Sequence, residues 1–306
     1  KSVLDRYLEP AKKADPAARE AYLAIGRLAL ANHDRELAGK NFREGLKRFP
    51  GDPEFLLGME KSGVELPKDQ QNPDDGILSY LDLALRANPK FPAALLLKAD
   101  QLAGRKNFNG AKTTLRQLLA VNPHHPEAWA QLAALAFLEE DAAGAEKALK
   151  EARNFWKNNP DVSKTVGVTL AGHYRFAEAI KFLRQASQED SRSASIRLEL
   201  GSNQLRFGQL EEGWQNVALA HDADPYNVAA FNLITLRDKL RNFPVREKDG
   251  VRLRMSPEDM AVFGARAPDL AVRAKRTLAE KYKISLSQPV MVEMLPQHED
   301  FAIRTF

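Results

Sequence analysis

The chain has 306 residues, 44% of them hydrophobic and 28% charged, with a formal net charge of +4. This is the composition of a water-soluble globular protein of one large or two ordinary domains. The absence of cysteine excludes disulfides, thiolate metal sites and a cysteine nucleophile. The interspersed charges argue against the basic stripe of a nucleic-acid binder, and no apolar run approaches the ~20 residues of a membrane span.

Taken in chain order, the N-terminal stretch KSVLDRYLEPAKKADP lacks the charged, apolar and small-residue sections of a signal peptide. Prolines then act as a ruler. FPGDP, NPKFP, NPHHP and DPYN each follow an amphipathic helical pattern. With Pro126 as position 1, Trp129, Leu132, Ala133 and Ala136 fall at positions 4, 7, 8 and 11, and Ala145, Leu149 and Ala152 at 20, 24 and 27. Thirty-four residues earlier the same phase gives Leu95, Lys98, Ala99, Leu102, Ala111, Leu115 and Leu118, with Pro123 at position 32. Later units give Val166, Gly167, Leu170, Ala179, Leu183 and Ala186, then Leu200, Gly201, Gly213, Val217, Ala220 and Pro225. The N-terminal side contributes Tyr22, Ile25, Gly26, Ala38, Phe42, Gly45 and Pro50.

This spacing resembles the tetratricopeptide repeat, a helix-turn-helix unit of 34 residues. Small residues at positions 8 and 20 let two helices approach closely, larger ones at 4, 7, 11 and 24 fill the space between units, and proline near 32 ends the second helix. The expected fold is mostly α: a right-handed α-solenoid with a small α+β segment at its C-terminus. Full units are expected at 19–52, 53–91, 92–125, 126–159, 160–193 and 194–227. The second has five extra residues, placed in the KDQQNPDDG loop. Residues 1–18 read as the second helix of an earlier, truncated unit, with Leu4, Leu8, Ala11 and Pro16 in phase, and 228–242 as a final covering helix.

Stacked helix pairs form a concave face. The resemblance implies that the first helix of each unit lines it, at positions 2, 5, 9, 12 and 13. Positions 5 and 9 here supply Leu23, Arg27, Leu57, Lys61, Leu96, Asp100, Lys164, Leu198, Ser202 and Asn232, and positions 12 and 13 add Phe137 and Leu205. These are the candidate binding residues. Two readings stand for the leucines: contact with a ligand, or packing against neighbouring helices. Some members of the family clamp a C-terminal carboxylate with Lys at position 5 and Asn at position 9. No unit here carries that pair, since Lys164 is followed by Val168. The expected partner is a protein or peptide, with the chain's own C-terminal segment as a second candidate occupant.

After Phe243 the rhythm stops. FPVREKDGVRLRM reads as two strands around Asp249-Gly250, a hairpin signal. Ser256-Pro257 starts a helical pattern that runs to about Arg266, restarts at Pro268 and continues through Leu270, Ala274, Leu278 and Tyr282. SQPVMVEML is a third strand, and His298 opens a loop that leads into a helix. This order, with the wording VMVEMLPQHEDFAIRT, resembles the opening of peptidase MA-like domains. The resemblance implies a second domain that has only begun by residue 306, and a parent protein that is a bacterial zinc peptidase; the sequence leaves the compartment open between cytoplasm and cell envelope. Such enzymes carry two zinc-binding His and a base Glu as H-E-x-x-H on one helix. That motif is absent: the histidines are His33, His124, His125, His173, His221 and His298, and no two are four apart. His298-Glu299-Asp300 therefore reads as a solvated turn.

The phosphate-binding, dinucleotide and G-x-S-x-G signatures are also absent. No catalytic residue, metal or cofactor is assigned. Two functions compete: a binding scaffold acting through its concave face, and the non-catalytic front of a zinc peptidase. A third possibility is that the exposed edge of the C-terminal strands pairs with another chain.

Overall fold

The computed structural model describes residues 3–286 and 289–305. A π-helical turn (Leu4–Leu8) leads into α1 (Glu9–Ala14). Antiparallel pairs follow: α2 (Arg19–Ala31) with α3 (Arg35–Arg48), α4 (Pro53–Lys61) with α5 (Tyr80–Ala87), α6 (Pro92–Gly104) with α7 (Phe108–Val121). Next come α8 (Pro126–Leu138) with α9 (Ala142–Ala152), α10 (Pro160–Gly172) with α11 (Phe176–Glu189), and α12 (Ala194–Phe207) with α13 (Leu210–Ala223). α14 (Val228–Leu240) completes the array. The fold is a helical solenoid.

Each helix starts and stops for local reasons. Pro53, Pro92, Pro126 and Pro160 occupy the first helical position, where the missing N–H costs nothing. Asp34, Asn107 and Asp141 cap the second helices by accepting a backbone N–H. Just after the first helix of each pair, one residue adopts left-handed φ: His33, Gly63, Lys106, Glu140, Tyr174 and Gly208. The residue after it donates its N–H back into the first helix, as Asp141 does to the Ala136 carbonyl at 2.9 Å. This closes the orphan carbonyls of the helix end.

The small residues set the closeness of packing. Phe42, fully buried, lies between Gly26 and Gly58, where an added Cβ would stand 2.4 and 2.5 Å from its ring. Buried clusters succeed one another along the array, the first around Tyr22, Phe42, Phe55 and Met59, a later one around Leu170, Val166 and Ala179. The extra residues of the second pair lie between α4 and α5, where Lys68–Gln70 and Pro73–Asp75 form short 3₁₀ turns.

The superhelix closes on itself. Val228 at the start of α14 donates its N–H to the Asn32 carbonyl at the end of α2, at 2.9 Å. Asn227 donates from Nδ2 to the Ala31 carbonyl at 3.4 Å. The first helix pair and the final helix thus meet, and the inner face lies within a ring.

The C-terminal segment is a three-stranded sheet in the order β1-β2-β3. β1 (Val245–Lys248) and β2 (Val251–Arg254) form an antiparallel hairpin through Asp249 and Gly250, both at positive φ. α15 (Pro257–Phe263) and α16 (Ala267–Tyr282) cross over to β3 (Val290–Glu293), parallel to β2. α17 (His298–Thr305) then packs back on α14. Here the structure corrects one expectation. No loop intervenes at His298: the His-Glu-Asp triplet is the first turn of α17 itself, and its Asp300 is buried rather than solvated.

Candidate functional site

The first helices of the pairs carry the predicted positions, and packing divides these into three groups. Leu23 and Leu57 lie inside helix-packing cores, at 0% and 5% exposure, so neither offers a surface to a ligand. Arg27, Lys61 and Asp100 are exposed, while Leu96, Phe137 and Lys164 are half-buried. Arg27 pairs with Glu54 at 2.7 Å, Lys164 donates to the Ser195 hydroxyl at 2.9 Å, and the Phe137 ring sits 5.4 Å from that of Phe182. Leu198, Ser202, Leu205 and Asn232 form the third group, and they line a cavity of about 250 Å³ together with His33, Ile303 and Arg304.

That third group is covered by α17. Ile303 joins the apolar cluster of Leu198, Leu205 and Leu233. Asp300 accepts from Lys239 at 2.8 Å, and Arg304 donates to the Leu205 carbonyl at 3.2 Å. Arg304 also binds Glu293 at 2.6 Å, and Glu293 in turn accepts from Arg254 at 3.1 Å. One buried carboxylate thus ties β2, β3 and α17 together, and α17 ties them to α12. Asp300, Ile303 and Arg304 share one helix face by their i, i+3, i+4 spacing. The sequence shows that face, but not the surface that receives it.

Two of the candidate residues hold their charges at a disadvantage. Burial pushes the Asp100 carboxyl above the usual carboxylate range, against the lowering influence of His173. Burial likewise depresses the Lys61 ammonium, aided by Arg27 and opposed by Glu127. His173 is depressed by burial, with Asp100 acting in the opposite direction, and its ring meets Phe108 edge-on at 5.5 Å. Both Asp100 and Lys61 still reach solvent, so protein walls surround them without covering them. Sequence spacing singled out these two residues as candidates, but gave no sign of their electrostatic cost.

The remaining singled-out residues have structural surroundings. His124 stacks edge-on with Phe155 at 4.6 Å, and His221 lies beside Phe231. Trp129 donates its indole N–H to the Pro123 carbonyl at 2.8 Å. Among the described residues, no three His, Asp or Glu side chains converge as a metal-binding set.

Residues 102–165 match the tetratricopeptide repeat family. No curated protein matches the sequence. Among solved structures, yeast Tom70 is similar at 14% identity and a TM-score of 0.45, over 76% of this chain and 50% of that one. This chain therefore spans half the length of that one. PilF of Pseudomonas aeruginosa is similar at 14% identity and a TM-score of 0.40, over 72% of this chain and 97% of that one. TTC0263, a thermophilic TPR protein of Thermus thermophilus, is similar at 19% identity and a TM-score of 0.45, over 61% and 100% respectively.

Proposed function

We propose that the chain is a protein-interaction scaffold whose inner solenoid face holds a peptide or a helix of another protein. The observation that carries this reading is the seat of α17. A short amphipathic helix lies on the inner face, anchored by Ile303 among leucines, by Asp300 on Lys239 and by Arg304 on a helix-end carbonyl. A face that accepts one helix in this way has the relief and polarity for helix-in-groove recognition. The adjoining stretch around Arg27, Lys61, Asp100 and Lys164 is not covered by α17. Two of these charges support the same reading, the Lys61 ammonium depressed by burial and the Asp100 carboxyl raised by it, because charged groups held at a cost to stability are concentrated at functional surfaces.

A photoreactive residue substituted for Lys61 or Asp100 should cross-link the partner in the cells that produce the protein, whereas the same residue at Glu146 on α9 should not. Equal cross-linking from all three positions would remove the inner face as the site.

A second reading rests on the C-terminal segment. Its hairpin, crossover helices and parallel third strand follow the order implied by the resemblance to peptidase MA-like domains. On this reading the solenoid is the recruiting arm of a zinc peptidase, and residues 1–306 are its non-catalytic front. Purified 1–306 should then cleave no protein substrate, and chelator-sensitive cleavage by it would contradict both readings.

A further inference from the structure

The outward face of α16 carries chemistry that neither the solenoid nor the sheet uses. α16 packs over β1 and β2. Lys275 pins it there by donating to the Asp249 and Gly250 carbonyls at 3.2 and 3.1 Å. Pro268 is buried, and Ala271, Val272, Lys275 and Ala279 are half-buried. Their spacing puts all five on one face of the helix. The side turned to the sheet is therefore built from short side chains and one lysine stem. The large apolar residues point the other way: Leu270, Leu278 and Tyr282 are each at least 50% exposed. With Ala274 they follow one another at four-residue steps, which keeps neighbours in contact along one stripe. The apolar surface continues past both ends of the helix. Phe263 of α15 borders the same groove as Leu270, and the exposed Ile284 folds back over the last turn, its N–H donating to the Ala279 carbonyl at 3.1 Å. A helix of a globular protein normally turns its large apolar side chains inward, and a contiguous exposed patch marks an interaction surface.

The rim of this stripe is cationic. Residues 262–286 contain six Lys or Arg and two carboxylates, so they alone account for the +4 net charge of the whole chain. Lys248 already engages one of the two carboxylates, Asp269. Arg266, Arg273, Arg276 and Lys283 are exposed, and their charged groups have no ion-pair or hydrogen-bond partner among the described residues. Arg266 and Arg273 stand one turn to either side of Leu270, and Lys281 one turn beyond Leu278.

We propose that α16 docks on the surface of a membrane containing anionic lipid, lying in the interface plane with its leucines and Tyr282 among the lipids and its unpaired arginines on the headgroups. Free cations call for an anionic surface, and protruding apolar side chains call for an apolar medium directly beneath it; an anionic bilayer supplies both. It also meets the whole length of a ridge of about 24 Å without a matching shape. A nucleic acid would leave the leucines in water. A second copy of the chain would set unpaired arginines against unpaired arginines. Among the described residues no helix is long and apolar enough to cross a membrane, so attachment through α16 is peripheral.

The test uses the whole chain and sedimentation with vesicles of phosphatidylcholine, either pure or containing about 30% phosphatidylserine. At low salt, half of the chain should be bound below about 1 mM lipid when phosphatidylserine is present, and at least about tenfold more lipid should be needed when it is absent. Arg273→Glu with Arg276→Glu should weaken binding by about 20-fold or more, and Leu270→Ser with Leu278→Ser by about tenfold or more. All four residues are exposed, so the circular dichroism spectrum should not change. The chain has no cysteine, so an environment-sensitive fluorophore can be placed through Thr277→Cys on the same face. It should shift to the blue on phosphatidylserine vesicles, and the same label through Glu146→Cys on α9 should not. Failure of the unmodified chain to bind phosphatidylserine vesicles would overturn the proposal and leave the face to a protein partner. Equal binding to both vesicle types, or binding that survives either double substitution, would also overturn it. So would a concentration-dependent dimer in light scattering that Leu270→Ser with Leu278→Ser abolishes, because the face would then belong to a second copy.

Discussion

Glu140 sits at φ +62° in the turn between α8 and α9, a conformation that costs an L-residue about 1–2 kcal/mol. Glycine takes it freely, and Gly208 does so at the equivalent turn. Glu140→Gly should therefore stabilise the chain, by about 0.5 kcal/mol once the added freedom of the unfolded glycine is subtracted; a lower melting temperature would contradict this. Asp100 offers a second test. Its folded pKa is raised, so the folded state binds more protons than the unfolded state between the two pKa values, and stability falls as pH rises through that window. The penalty is fully present above the folded pKa and absent below the unfolded value of 3.8. Asp100→Asn should raise the melting temperature at neutral pH, and the gain should vanish as pH drops below the carboxylate range. A pH-independent gain would mean that the carboxylate charge is not the cause.

The elements themselves were legible because their signals are local. A small residue at position 8 against a larger one at position 24, seen at Gly26 and Phe42, is a packing relation within one pair, and the 34-residue step repeats it at Gly167 and Leu183 and at Gly201 and Val217. Ser256 capping α15 and Asp249-Gly250 turning the hairpin are also contiguous in sequence. The left-handed turn residues were not legible, since His33, Lys106, Glu140 and Tyr174 share no side-chain type. Nor was the seat of α17. Its anchors, Lys239 and the Leu205 carbonyl, lie 61 and 99 residues from their partners, and no periodicity links them. The third of the candidate residues formed by Leu198, Ser202, Leu205 and Asn232 therefore had to wait for tertiary structure. Asp300→Ala tests that seat. It removes a charge-assisted bond from a carboxylate that is 5% exposed, but its Lys239 partner is half in solvent, so the loss should be about 1 kcal/mol. Hydrogen exchange should quicken in α17 and leave α10 and α11 unchanged; uniform quickening would mean that Asp300 supports the whole array.

Closure is a property of the whole molecule. Each helix pair adds a small rotation to the superhelix, and only the accumulated sum decides whether the ends meet. At the seam, the C-terminal end of α2 faces the N-terminal end of α14, so an orphan carbonyl meets an orphan N–H and the helix dipoles run head to tail. Asn227 serves both sides: its Oδ1 accepts from the Ala230 N–H as the cap of α14, and its Nδ2 reaches the Ala31 carbonyl. Asn227→Ala would remove both roles and confuse seam with cap. Asn227→Asp keeps the capping acceptor, loses the donor and sets a carboxylate against a carbonyl. The chain has no cysteine, so spin labels on cysteines introduced at Lys40 and Leu219 would report the seam alone. The parent should give one narrow distance, and Asn227→Asp a longer or broader distribution with little change in helix content. Because a closed ring restricts entry to its inner face, the same variant should also accelerate association of an inner-face ligand. An unchanged distance distribution would show that helix packing along the array, and not the seam, holds the ring shut.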